Sequence, residues 1–166
     1  MDNPMARLLL IALALSLLGC HGHPRCLQRP CAPGQAKLAS ELEAMMQASA
    51  DAWTADDLDA FMLAFHNSDD LTFAIPTGIT KGWAPLKERY ARSIAKSNLW
   101  FTDIETTVIT ADTALVFARF HNVMKQDGSY STGLTTLLCQ KIDGNWVIVH
   151  DHSSGLPEDT PRKDPE

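Results

Sequence analysis

Two Asp-Gly pairs, Asp127-Gly128 and Asp143-Gly144, separate segments rich in Thr, Val, Ile, Leu and aromatic residues, and no other feature restricts the fold as strongly. Asp-Gly favours tight hairpin turns because both central positions of such a turn need positive φ. Segments 114–125, 130–142 and 146–152 are therefore expected to form an antiparallel meander, with 100–109 as a further strand before it. Upstream the apolar period changes. Leu38, Leu42, Met45, Met46 and Trp53 recur at helical spacing, and Thr54 with Asp57 forms a capping pair ahead of a second stripe, Leu58, Phe61, Met62 and Phe65. A short strand is expected at 71–75, closed by the turn residues Pro76-Thr77-Gly78. A third helix should open near Ala84-Pro85 and carry Leu86, Tyr90 and Ile94. Helices followed by antiparallel strands give an α+β domain, with helices covering one face of a curved sheet.

The ends of the chain read differently from its middle. Leu8 to Leu18 is an apolar run broken only by Ser16, with Arg7 before it and Gly19-Cys20 after it. A run of this length is too short to span a bilayer, which takes about 20 residues, and it reads as the apolar centre of a secretory signal. Leu17-Leu18-Gly19-Cys20 resembles a bacterial lipobox, which implies lipidation of Cys20 and an exported protein held on the periplasmic side of a membrane. Leu18 is bulkier than the usual residue there. Cys26 and Cys31 bracket a loop containing Pro30, and a disulfide between them suits export. The alternative is zinc or copper on His21 and His23 beside those cysteines. The proline-rich stretch is taken as a tether without metal. Cys139 falls inside a strand pattern and reads as core. The expected organisation is a signal peptide over 1–19, a tether over 20–35, a folded domain over 36–155 and a disordered tail over 156–166, where prolines alternate with charges. With 14 basic against 20 acidic residues and no basic run, nucleic acid is not an expected partner.

Several landmarks together resemble the nuclear transport factor two-like superfamily, which includes SnoaL-like and ketosteroid-isomerase-like domains. They are Trp53 closing the first helix, Asp57-Leu58 opening the second, Phe73 to Gly78, and Gly82 before the third helix. The last is the closing run from Asp143 through Trp146, His150, Asp151 and His152 to Ser154. That run is similar to the final hairpin of SnoaL-like domains and of the calcium/calmodulin-dependent kinase association domain. The resemblance covers about 37–155. It implies a cone-shaped domain, usually a dimer, with three helices packed on a curved, mostly antiparallel sheet around a pocket. In the isomerases of the superfamily a pocket carboxylate acts as base.

Two-residue turns at both Asp-Gly pairs would make partner numbers total 255 across one hairpin and 287 across the next. One face then carries Val116, Ala118, Phe120, Thr135, Leu137, Cys139, Trp146 and Ile148, with His150 and His152 at its polar end. This face is assigned to the pocket, with Trp53, Phe73, Trp83 and Tyr90 completing the wall. The other face holds Leu115, Phe117, Arg119, Leu138, Val147, Val149 and Asp151, and its apolar area suits a homodimer interface. A single bulge is the competing arrangement, and it would turn Arg119 and Asp151 into the pocket. Either histidine titrates near neutral pH and could move a proton. They are also readable as structural groups bonded to backbone or to Ser153 and Ser154, and a His150-x-His152 metal site lacks a third ligand. The sequence contains no cofactor motif. The expected function is binding of a small apolar ligand by an exported, lipid-anchored dimer. The alternative is acid-base enzymology of the isomerase, cyclase or dehydratase type using a pocket histidine.

Overall fold

In the computed structural model, which describes residues 33–155, helix α1 spans Pro33–Thr54 and buries Leu42, Met46, Ala50 and Trp53 along one stripe. The helix starts at Pro33, so 33–35 belong to it and not to the expected tether; proline suits a first turn. The expected signal, Cys20, His21, His23, Cys26, Cys31 and the tail lie outside the described residues. Asp56, at φ 64°, turns the chain out of α1, and Asp57 caps α2 (Leu58–Met62) by accepting the Ala60 N–H at 2.9 Å. Thr54, expected to cap, instead ties α1 to the sheet. Its hydroxyl donates to the Leu99 carbonyl at 3.2 Å and accepts the Leu99 N–H at 3.1 Å.

Strands β1 (Thr72–Ile75) and β2 (Gly78–Lys81) form a tight hairpin around Pro76-Thr77. The sequence pattern does not announce β2, because the strand has four residues at the sheet edge and three of them are exposed. Helix α3 (Trp83–Ala91) has Pro85 in its first turn and fully buries Leu86. A short 3-10 turn, Ile94–Lys96, leads into β3 (Ser97–Thr110), β4 (Thr113–Met124), β5 (Tyr130–Ile142) and β6 (Asn145–Gly155). The sheet order is β2-β1-β6-β5-β4-β3, antiparallel except where β1 runs parallel to β6. The protein is thus α+β, with three helices on a six-stranded, mostly antiparallel, curved sheet.

Register decides what faces inward, and it departs from the simple expectation twice. Between β4 and β5 the partner numbers total 253, because the connection through Asp127-Gly128 is longer than two residues: the Met124 N–H reaches the Ser129 carbonyl. A shift by two leaves every side chain on its expected face. Between β5 and β6 the pairing Cys139 with Ile148 matches the expectation, but the next pair is Leu138 with His150. Val149 is an extra residue, and such a bulge reverses the faces beyond it. Asp151 and Ser153 therefore turn inward, opposite Leu137 and Thr135, while His150 and His152 turn outward. The bulge sits where β6 changes neighbours. The Ile148 N–H donates to the Ala64 carbonyl at 2.7 Å and its carbonyl accepts from His66 N–H at 2.9 Å, whereas β1 joins only from His150 onward.

Gly133 faces Phe120 across β4 and β5. A Cβ there would stand 2.2 Å from the Ser154 carbonyl oxygen and 2.5 Å from the Phe120 ring. Only glycine lets that ring lie across the strand. Gly133→Ala is expected to lower unfolding free energy by about 2 kcal/mol or more, measured by urea denaturation; unchanged stability would mean the ring has another place to go.

Candidate functional site

The inward face of the sheet and the three helices enclose a cavity of about 530 Å³. Helix α1 contributes Met46, Ser49 and Trp53; Phe61 and Phe65 close one side, and Phe73 and Tyr90 another. The rings interlock around Tyr90. Its ring meets Trp53 at 5.6 Å, Phe61 at 5.0 Å and Phe73 at 5.6 Å, all edge-on, an arrangement that favours a rigid aromatic wall.

Into this apolar space the Val149 bulge delivers one carboxyl. Asp151 is 6% exposed, and its Oδ1 accepts the Ser153 hydroxyl at 2.8 Å and the Thr135 hydroxyl at 3.0 Å. The two hydroxyl oxygens are themselves 3.0 Å apart. Oδ2 has no hydrogen bond among the described residues, yet no buried side-chain oxygen there is left unpartnered. It is therefore accessible, and Asp151 lines the cavity. Burial pushes the Asp151 carboxyl up to about 6, against the hydroxyl bonds of Ser153 and Thr135 and the charge of His152, which favour the anion. Burial and the nearby Asp151 charge push the Tyr90 phenol well above its ordinary range, so it stays protonated as a donor. Cys139, deep beside this group, is pushed up to about 12 by burial first and is an inert thiol.

Of the residues expected to line the pocket, Trp53, Phe73, Tyr90 and Thr135 do so. Trp83 does not: its indole N–H donates to the Met62 carbonyl at 3.4 Å, and its ring opens on a separate surface cleft. His150 and His152 are on the opposite face from the cavity, each paired across the sheet, His150 with Leu138 and His152 with Thr136. The expectation of a pocket histidine is corrected by one inserted residue, and so is the outward setting of Asp151. Arg119 does not follow Asp151 inward, because β4 carries no bulge against β5; its Nε bonds Asp103 at 3.1 Å instead. Ser153 also lines the cavity, as does Asn122 from β4, and neither is among the residues that the sequence pattern places there. Among the described residues no three His, Cys, Asp or Glu side chains are grouped to hold a metal ion.

A family model described as a SnoaL-like domain matches residues 42–158. Among solved structures, an NTF-2-like protein of unknown function from Shewanella oneidensis is 29% identical with a TM-score of 0.65, covering 70% of this chain and 98% of that one. A ketosteroid isomerase-like protein from Erwinia carotovora is 20% identical with a TM-score of 0.60, covering 72% and 96%. A candidate scytalone dehydratase from Novosphingobium aromaticivorans is 13% identical with a TM-score of 0.66, covering 75% and 87%. The last two likenesses concern the fold alone. No curated protein matches.

The raised Asp151 value fixes the sign of a pH effect. Folding favours the protonated carboxyl, so the cost is absent below about pH 4, grows as pH rises to about 6, and is constant above that. Relative to Asp151→Asn, the wild type should lose on the order of 3 kcal/mol of unfolding free energy across that window. Denaturant titrations of both proteins at several pH values measure it, and a difference that stays flat would contradict a buried ionisable Asp151.

Proposed function

The chain belongs to the SnoaL-like domain family, and from that premise we propose that it binds a small, largely apolar molecule in the cavity and that Asp151 exchanges a proton with it, as an isomerase or dehydratase would. The observation that carries this reading is the Asp151 carboxyl, with Oδ1 fixed by two hydroxyls and Oδ2 open to an aromatic-lined space. A cavity that is apolar apart from a few convergent polar groups suits a small organic ligand. A carboxyl titrating near 6 is mostly ionised at neutral pH and still weakly acidic enough to hand a proton back, which is what a general base and acid in one residue needs. Tyr90 supplies a neutral donor in the same space, and it can hold a ligand oxygen while the proton moves. The base in this reading is a carboxylate and not His150 or His152.

In the same proposal the chain is exported and anchored through lipid on Cys20, and the domain pairs with a second copy through the outer face of its sheet. The apolar run before Cys20 supports the first part. The second is supported by Leu115, 37% exposed, beside Phe117, Leu138 and Val147 on one face. Intact-mass analysis of the membrane fraction should find a lipidated Cys20, and sedimentation should find a dimer that Phe117→Glu splits. An unmodified N-terminus elsewhere, or a monomeric wild type, would remove the corresponding part.

The central part is tested with 2-naphthol, a compact aromatic that carries one hydroxyl. Its O–H donates to ionised Oδ2, so calorimetric affinity at pH 8 should be about tenfold above that of Asp151→Asn, and the gap should close as pH falls through 6. Equal binding by the two proteins at pH 8, or no saturable binding, would overturn the proposal.

A further inference from the structure

Asn122 stands at the far end of the cavity from Asp151, and its amide is held in one orientation by a buried relay. The Trp53 indole N–H donates to Ser97 Oγ at 3.1 Å, and the Ser97 hydroxyl donates to Asn122 Oδ1 at 3.3 Å. Trp53 and Ser97 are both almost wholly buried, so the relay is shielded from competing water. With its oxygen engaged, the amide turns its NH₂ group away from Ser97. That nitrogen has no hydrogen bond among the described residues, and no buried side-chain nitrogen there is unpartnered, so it is accessible where Asn122 lines the cavity.

The strand register gives the spacing between the two polar ends. Asp151 is opposite Leu137, which is opposite Val116, and Asn122 lies six residues further along β4. On a flat sheet, six residues along and two strands across, that is ~22 Å, and a hydrogen bond of ~3 Å at each end leaves roughly 16 Å, shortened further by the curve of the sheet. Apart from Ser49 on α1 and the Thr135 and Ser153 hydroxyls that hold Asp151, the lining is mainly hydrocarbon and ring, including Leu99, Phe101 and Phe120 from the sheet and Trp53 and Tyr90 from the helices.

We infer that Asn122 is a specificity-determining residue, whose amide reads a hydrogen-bond acceptor at the outer end of an elongated ligand while the other end meets Asp151. The ligand class is a flat, apolar molecule of two or three rings, with a proton-bearing group at one end and a carbonyl-type oxygen at the other. This rests on the cavity being a small-molecule site. An apolar ligand without the distal oxygen would leave the amide donors dehydrated and unpaired, and that is the source of selection.

Two probes of matched shape test it by fluorescence titration: 4-isopropenyl-4′-hydroxystilbene and 4-acetyl-4′-hydroxystilbene, which differ only in a distal C=CH₂ in place of C=O. The wild type should bind the acetyl compound about fivefold more tightly, the net contribution of one neutral hydrogen bond. Asn122→Leu should bind both equally. Asn122→Asp, nearly the same shape with an acceptor in place of the donors, should prefer the compound without the acetyl group. The ratio of two affinities in one protein is insensitive to a general loss of packing. If wild type and both variants bind the two probes with the same ratio, the role of Asn122 is overturned while the cavity remains a ligand site. If the wild type binds neither, the small-molecule reading fails with it.

Discussion

Ile148 is hydrogen-bonded through its backbone on the helix side, to Ala64 and His66, and is paired with Cys139 on the other. Two residues later His150 pairs with both Leu138 and Thr72 of β1. The strand reaches from one set of partners to the other only by carrying Val149 as an extra residue. Everything chemical about the cavity depends on that insertion. Without it, alternation would face His150 and His152 inward and leave Asp151 in water. With it, one carboxyl enters a space otherwise walled by Trp53, Phe61, Phe73, Tyr90 and Phe120.

Such a carboxyl is costly to bury, and its surroundings offset only part of the cost. Thr135 and Ser153 donate to one oxygen, which favours the anion, yet burial outweighs them and pushes the group up to about 6. A fully stabilised carboxylate would be a poor base. Leaving Oδ2 without a partner keeps a basic atom available to a ligand, at the expense of stability. The same logic applies at Asn122, where Ser97 satisfies the oxygen and leaves the NH₂ group to the cavity. In both residues one polar atom is fixed by the protein and the other is open, so the site is oriented before anything binds.

The fold was largely legible in the sequence because its signals are local. The 3.6-residue stripe of Leu42, Met46 and Trp53 and the turn at Asp143-Gly144 act within a few residues, and the elements appear where those signals stand. The longer turn at Asp127-Gly128 shifts the register by two and leaves the facing unchanged, since side chains repeat every second residue. The site was less legible. A one-residue bulge has no local signature in Trp146-Val147-Ile148-Val149-His150; it arises from Ala64, His66 and Thr72, which are distant in sequence. Short edge strand β2 is illegible for a related reason, since an exposed strand buries no alternate residues and leaves no pattern. Residue type alone points Trp83 to the cavity, but it lines a different cleft.

Asp151 can serve the cavity only as an inward, buried, ionisable carboxyl. Its most direct test is a carbon-13 NMR titration of the Asp151 carboxyl in the intact protein, assigned with Asp151→Asn. The expected midpoint is about 6, moving downward when 2-naphthol occupies the cavity and donates to the anion. A midpoint near 4, the value of an aspartate in water, with no response to 2-naphthol, would mean that the carboxyl lies on the outer face and that the strand carries no bulge.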